Sequence, residues 1–191
     1  MITVSGSRGA GKGTILTILS EHFGSRIYRI VPCTTRAPRE GEQHGKHMYF
    51  ITKPEFEEFE QDGKLVYASP KIDGKYRSGT LVTELSKAPV SVVDITSEGA
   101  KILRNAVLNM GGKSLCILLW ADSAERYKRI KNRQPDLTAD EIHSMIKNDP
   151  TDPWIGNHPD FFFKVHNPNG KLEETKQTIV SLIEDFLTEN A

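Results

Sequence analysis

The sequence is poor in the features that mark secreted and membrane proteins. It has 2 cysteines in 191 residues, Cys33 and Cys116, which are too few for a disulfide framework and suit a reducing compartment. No apolar run approaches the length needed to cross a membrane. The first predicted strand begins at residue 2, which leaves no room for a secretory signal peptide before it. We therefore expect a cytoplasmic protein with no membrane partner.

The chain also lacks an excess of either charge. Lysine plus arginine and aspartate plus glutamate both number 25, so the formal net charge is zero. Because binding to a nucleic acid polymer usually needs a basic surface, this balance argues against DNA or RNA as a partner. At 191 residues the chain fits one compact domain with a sizeable core.

Glycine is concentrated in one segment, Gly-Ser-Arg-Gly-Ala-Gly-Lys-Gly-Thr at residues 6–14. The segment follows a short apolar run and opens a helical pattern, which is the context of a phosphate-binding loop. Glycines let backbone N–H groups approach a phosphate, and the helix directs its positive end at the anion. Lys12 adds a charge that reaches the β- and γ-phosphates. The residues predicted to bind ATP phosphates are Gly9, Ala10, Gly11, Lys12, Gly13 and Thr14.

Strands alternate with helices along the rest of the chain, which predicts an α/β fold of the P-loop NTPase type, a parallel sheet flanked by helices. The predicted strands cover residues 25–33, 90–95, 114–120 and 161–166, and the longer helices cover residues 97–110, 123–133 and 171–188. Thr-x-x-Glu capping boxes at Thr52 and Thr138 predict the starts of two further helices. Small elements fill residues 34–88, so this range is interpreted as an insertion between two core strands.

Further motifs extend along nearly the whole chain. The most specific is Thr-Thr-Arg-x-Pro-Arg-x-Gly-Glu at residues 34–42, and the others are the pair Tyr76 and Ser78, Val-Asp-Ile at residues 93–95, and the pair Arg129 and Arg133. With these motifs the chain resembles the guanylate kinases, which are nucleoside monophosphate kinases. The resemblance implies a single domain with a core (1–33, 89–122 and 149–191), a monophosphate-binding lobe (34–88) and a lid closing over ATP (123–148).

The resemblance implies transfer of the γ-phosphoryl group of ATP to a (deoxy)nucleoside monophosphate, with Mg²⁺ as cofactor. A monophosphate already carries an anionic nucleophilic oxygen, so the reaction needs positioning and charge neutralisation rather than a general base. The implied catalytic residues are Lys12, Arg36, Asp94, Arg129 and Arg133. In the same scheme Arg36, Arg39 and Tyr76 bind the acceptor phosphate, Thr14 and (through water) Asp94 hold the metal, and Asn167 lies beside adenine.

Simpler interpretations of these residues stay open at this point. An arginine is commonly a solvated surface charge, and Asp94 can cap the helix that follows its strand. Asn167 can belong to a polar turn. The basic residues Lys71, Lys75 and Arg77 can serve a more anionic acceptor or lie on a solvated hairpin.

The chain departs from the family at the positions that read guanine. The family has Ser, Tyr, Glu and Asp where this chain has Pro32, Met48, Tyr67 and Thr96, while Ser78 matches. A Glu carboxylate accepts hydrogen bonds from two groups on the guanine edge, and Tyr67 cannot supply two acceptors. We therefore expect an acceptor-base pocket of Pro32, Tyr67, Ser78 and Thr96 whose preference is altered from GMP and dGMP.

Two other functions remain open on the sequence alone. One is a kinase that acts on a phosphorylated sugar or another small anion, which the lost base contacts allow. The other is a binding module of the same fold without activity, against which the complete phosphate loop argues. The residues do not indicate the base, the preference for ribo- or deoxynucleotides, the oligomeric state, or a role for residues 154–158.

Overall fold

The computed structural model describes residues 1–70, 75–152, 156–160 and 162–189, which form two β-sheets with surrounding helices. The strands are β1 Ile2–Gly6, β2 Tyr28–Arg29, β3 Cys33–Thr34, β4 Tyr49–Phe50, β5 Leu65–Ala68, β6 Ser78–Leu81, β7 Ser91–Asp94, β8 Leu115–Trp120 and β9 Phe162–His166. The helices are α1 Lys12–Phe23, α2 Lys53–Gln61, α3 Val82–Leu85, α4 Ser97–Asn109, α5 Ser123–Arg133, α6 Ala139–Lys147 and α7 Leu172–Thr188, with a 3₁₀ turn at Gly24–Arg26.

The central sheet has the strand order β2-β7-β1-β8-β9, and each neighbouring pair is parallel. Alternate side chains of β8 point to opposite faces. Ile117 and Leu119 pack in the cluster that contains α1 and α7, whereas Cys116 and Leu118 pack in the cluster that contains α4. Helices therefore cover both faces of the sheet, and the predicted parallel α/β fold is confirmed.

Local sequence signals set the ends of several helices. Thr52 accepts from the backbone N–H of Glu55, whose carboxylate accepts in return from Thr52, and α2 begins there. Thr138 and Glu141 form the same reciprocal pair at the start of α6. Both predicted capping boxes are confirmed. Among the described residues, no helix combines the length and the apolar composition that crossing a membrane requires.

The second sheet has the order β4-β3-β6-β5 and is mixed, with β3 parallel to β4 and antiparallel to β6. Its strands come from residues 33–81, nearly all of them within the range predicted for the lobe. The division of the chain into a core, a lobe and a lid as functional parts stays a prediction.

The single strand predicted at residues 25–33 is wrong. A 3₁₀ turn occupies Gly24–Arg26, β2 joins the central sheet, and β3 joins the second sheet. Ile30 still donates to the carbonyl of Val92, at 2.9 Å, but Pro32 has no N–H to continue the ladder. The chain therefore leaves one sheet and enters the other around Pro32.

Glu84 on α3 joins the two sheets. Its buried carboxylate, 1% exposed, accepts from the Tyr28 hydroxyl at 2.8 Å and from the backbone N–H of Val31 at 2.9 Å. It also accepts from the Tyr49 hydroxyl at 3.2 Å and pairs with Lys87. These donors come from the central sheet, the passage between the sheets and β4, so the carboxylate ties the second sheet to the core.

Candidate active site

The loop between β1 and α1 requires glycine at two positions because neighbouring elements press against it. Gly9 has φ 84°, and a Cβ there would lie 3.1 Å from the Cα of Arg126 on α5. Gly11 has φ 100°, and its Cβ would lie 2.4 Å from Nδ2 of Asn167. A side chain at either position would adopt an unfavourable backbone conformation, and it would also make a tight contact at Gly9 and a steric clash at Gly11.

The residues of this loop differ in exposure, and most of them line one cavity. Ala10 is fully buried, and its carbonyl accepts from Asn167 at 2.8 Å. Gly13 and Thr14 lie exposed in the first turn of α1. Lys12 folds back so that its ammonium donates to the carbonyl of Gly6 at 2.7 Å. The predicted loop residues except Ala10 line this space, which we call the loop cavity and which measures about 390 Å³.

Two arginines of α5 complete the loop cavity. Arg129 donates to the carbonyls of Gly9 at 3.2 Å and Asn167 at 2.8 Å, so its guanidinium lies against the loop. Arg133 also lines the cavity. Partial burial and the positive charges of Arg39 and Arg8 lower the pKa of Arg133 from its usual value. The cations of this cleft therefore repel one another, and a bound polyanion would offset this repulsion.

A second cavity of about 330 Å³ lies on the side of the second sheet, and we call it the lobe cavity. Lys12 and Asp94 line both cavities. Asp94 is the last residue of β7. Its side chain is exposed to the cleft, and the walls of the two cavities enclose it. This enclosure raises the pKa of Asp94, while the charges of Lys12 and Arg29 act in the opposite direction. The two cavities thus meet at one cation and one carboxylate.

The predicted acceptor-phosphate residues Arg36, Arg39 and Tyr76 all line the lobe cavity. Arg36 forms a two-pronged ion pair with Glu42, with N–O distances of 2.6 and 2.7 Å. This pair lowers the pKa of Glu42 to about 2. Arg36 also donates to the carbonyl of Ala37 at 2.9 Å. Its guanidinium is therefore held in one orientation at the wall of the cavity.

The predicted base-pocket residues Pro32, Tyr67, Ser78 and Thr96 line the same lobe cavity. The Tyr67 hydroxyl and the Thr96 hydroxyl lie 2.8 Å apart and bond to each other. Thr96 also caps α4 by accepting from the backbone N–H of Gly99 at 3.1 Å. Ser78 donates to the Thr34 hydroxyl at 3.0 Å. The hydroxyls of this wall therefore already have partners within the protein.

Asn167 and Arg77 have contacts that the sequence did not predict. Asn167 is 4% exposed and lies beneath the loop, where it bonds to Ala10, so its predicted position beside adenine stays a prediction without a contact to support it. Arg77 pairs with Glu60 at 2.6 Å and covers the ring of Phe56. Its partners in these contacts therefore lie on α2. Of the other residues raised above, Lys71, Trp154 and Ile155 lie outside the described residues.

Sequence reasoning missed the most buried charge near the loop. Arg126 is 2% exposed and pairs with Asp149 at 3.1 Å and with Asp152 at 2.8 Å. It lies on α5, and the sequence predicted no role for it. The available sequence signal was its position four residues before the apolar Ile130, since residues four apart share a helix face. The structure shows that Ile130 is fully buried.

Asp122, Glu125 and His166 form a group with metal-ligand chemistry outside the two cavities, with donor atoms within 4.8 Å of one another. Both carboxylates have partners within the protein. Asp122 lies 3.5 Å from Nε2 of His166, and Glu125 accepts from the backbone N–H of Asn169 at 2.6 Å. We assign no metal to this group.

Comparisons with known proteins bear on the family and on the fold. A family model described as Guanylate kinase matches residues 1–184. A guanylate kinase of Prochlorococcus marinus is 31% identical over 191 residues and is covered to 96%, as is this chain. A guanylate kinase of Mycoplasmopsis synoviae is 34% identical over 145 residues, 70% of each chain. The crystal structure of guanylate kinase from Anaplasma phagocytophilum has a TM-score of 0.61 at 20% identity, covering 97% of this chain and 85% of that one, and so supports the fold alone.

Proposed function

Because the chain belongs to the guanylate kinase family, we propose that it transfers the γ-phosphoryl group of ATP to a nucleoside monophosphate. One observation carries the proposal: the loop cavity and the lobe cavity meet at Lys12 and Asp94. A triphosphate in the first cavity and a monophosphate in the second would face each other at that junction. In-line transfer between two phosphates requires this arrangement.

The residues around the junction suit a reaction that needs no general base. The attacking oxygen of a monophosphate is already anionic, so the main barrier is to bring two polyanions together. Lys12 and the lid arginines would neutralise the donor phosphates, and Arg36 and Arg39 would hold the acceptor phosphate. Preorganised cations in a site closed to water stabilise the charge that develops during transfer.

Thr14 and Asp94 are the residues that would hold Mg²⁺. Both line the loop cavity and supply oxygen atoms, the ligand type that Mg²⁺ prefers. Enclosure raises the pKa of Asp94, so a cation nearby would favour its ionised form. When bound, Mg²⁺ would withdraw charge from the β- and γ-phosphate oxygens.

We also propose that residues 34–88 and 123–148 act as the monophosphate-binding lobe and the lid. The charges of Arg39 on the lobe side and Arg133 on the lid side oppose each other across the cleft. Anions bound between them would replace this repulsion with attraction. Closure on substrate would then exclude water that could otherwise accept the phosphoryl group.

The base preference is proposed to differ from that of a guanine-specific site. Tyr67 and Thr96, at positions where the family carries carboxylates, bond to each other instead. Strong discrimination depends on buried polar groups that only the correct ligand satisfies, and hydroxyls that already have partners impose little penalty on other bases. The ionised carboxylate pair that would read the guanine edge is therefore absent at these two positions.

The test is an assay of ATP turnover with Mg²⁺ across the common ribo- and deoxynucleoside monophosphates. We expect transfer to more than one base. Exclusive activity on GMP and dGMP would refute the altered base preference but would support the proposed kinase activity. Tight ATP binding without transfer to any monophosphate would refute the nucleoside monophosphate kinase and favour either an inactive binding module or a kinase of another small anion.

A pair of variants tests the role of Tyr67 within that panel. Tyr67→Glu restores two acceptors and is expected to raise kcat/KM for GMP relative to the other monophosphates by about tenfold or more. Tyr67→Phe is the matched control because it removes the hydroxyl and keeps the ring. If Tyr67→Glu and Tyr67→Phe shift the preference equally, the carboxylate argument is wrong.

A further inference from the structure

A buried guanidinium connects α5 to the phosphate loop from behind. Arg126 donates through Nε to the carbonyl of Arg8 at 2.9 Å. Its other two nitrogens pair with carboxylates, Nη1 with both oxygens of Asp152 at 2.8 and 2.9 Å and Nη2 with Asp149 at 3.1 Å. Arg126 is 2% exposed and Asp149 is 5% exposed, so water competes little for the bond between these two side chains.

The two carboxylates also bind the loop directly. Asp149 accepts from the backbone N–H of Arg8 at 2.6 Å, and Asp152 accepts from the Ser7 hydroxyl at 2.7 Å. Both aspartates follow the end of α6, whereas Arg126 lies on α5. The groups that hold the rear of the loop therefore come from the first helix of the predicted lid and from the residues that directly follow the lid.

The packing leaves the loop little room to adjust by itself. A Cβ on Gly9 would lie 3.1 Å from the Cα and from the carbonyl oxygen of Arg126, so the backbone of α5 touches the loop at this point. A shift of α5 would therefore move the Arg8 carbonyl through the guanidinium and Gly9 through direct contact. The same helix carries Arg129, which bonds the Gly9 carbonyl at 3.2 Å.

We propose that Arg126, Asp149 and Asp152, which we call the coupling cluster, are positioning residues that fix the shape of the phosphate loop and tie it to the lid. The role in ATP binding rests on the proposed function. Phosphate recognition depends on backbone N–H groups held at fixed positions. A loop released at Ser7 and Arg8 would adopt more conformations and lose affinity for the triphosphate. Arg36 in the lobe cavity would keep its orientation, because Glu42 and the Ala37 carbonyl hold its guanidinium.

A purely structural role predicts a different outcome. In that case variants of the cluster would unfold at lower temperature, but the folded fraction would bind ATP and the monophosphate as the wild type does. A positioning role predicts that the KM for ATP rises and the KM for the monophosphate does not. The split between the two constants, measured well below the unfolding temperature, separates the two roles.

Arg126→Lys is the main variant because it keeps the charge and removes the planar fork that serves three partners. We expect the KM for ATP to rise about tenfold or more, with the KM for the monophosphate within about twofold. Ser7→Ala is a second, milder variant that removes only the bond to Asp152, and we expect a smaller change in the same direction. Lys128→Met, which removes an exposed cation of the same helix, is the matched control.

Amide hydrogen exchange of the protein without ligand tests the loop itself. We expect Arg126→Lys to speed exchange in the peptide that contains residues 7–11, with β7 and α4 unchanged. Unchanged exchange in that peptide, or an equal rise in both KM values, would overturn the proposal. If the wild type binds no ATP, the proposed function fails, whereas the exchange result still decides whether the cluster positions the loop.

Discussion

Glu42→Gln offers a direct test of how the predicted acceptor arginine is held. Glu42 and Arg36 are 21% and 11% exposed and form a two-pronged pair at 2.6 and 2.7 Å. The pair lowers the pKa of Glu42 from 4.5 to about 2, which corresponds to roughly 3 kcal/mol in favour of the ionised carboxylate. Gln keeps one oxygen acceptor for Arg36 but loses the charge. We therefore expect a loss of about 1–2 kcal/mol at neutral pH.

The sign of the pH dependence follows from the lowered pKa. A carboxyl group whose pKa is lower in the folded state stabilises the protein at pH values above its unfolded-state pKa. This stabilisation is lost as the pH falls towards the folded-state pKa. For Glu42 this stabilisation is lost between about pH 4.5 and about pH 2. The wild type should therefore exceed Glu42→Gln in stability at about pH 7 and lose more than half of that advantage by about pH 3.

The measurement is urea unfolding of both proteins at the two pH values, with the exposed neighbour Glu40→Gln as the matched control. In thermal unfolding the neutral-pH difference should appear as a fall in Tm of about 2–8 °C. A difference between wild type and Glu42→Gln that stays constant with pH would refute the ion-pair argument. So would an equal effect of the control.

Three other outcomes follow from the same geometry. Lys12→Met should lower kcat by about two to three orders of magnitude in a coupled ATP assay, because it removes the cation at the junction of the cavities, and full turnover would contradict that role. Gly11→Ala should cost about 1–3 kcal/mol in urea unfolding, because its φ is 100° and its Cβ would lie 2.4 Å from Asn167. By contrast Gly13→Ala, whose Cβ meets no atom within 4 Å, should stabilise α1 by about 0.5–1 kcal/mol, and equal effects at the two glycines would refute the packing argument. Burial raises the pKa of Cys33 to about 11, so its alkylation near pH 8 should be slow in the folded protein and fast in urea, and fast labelling of the native state would contradict its burial.

The phosphate loop and the helix starts could be predicted because their signals are local. The glycines, Lys12 and the first turn of α1 are neighbours in the chain, and a capping box needs only residues three positions apart. The alternation of buried strands and helices also fixed the class of fold, since a parallel sheet covered on both faces needs crossover helices. The predicted phosphate-binding arginines, by contrast, reach the two adjoining cavities only through tertiary packing.

Other features were decided only when distant segments packed together. The bond between Tyr67 and Thr96 joins residues 29 positions apart, and the bond between Arg126 and Arg8 joins residues 118 positions apart. No local pattern identifies such partners. The spacing between Arg126 and Ile130 indicates the inner face of α5, but it does not indicate which groups contact Arg126 there. The sequence alone therefore predicted where phosphates would bind, and the tertiary structure determined what holds that loop in shape and how the hydroxyls of the lobe cavity are paired.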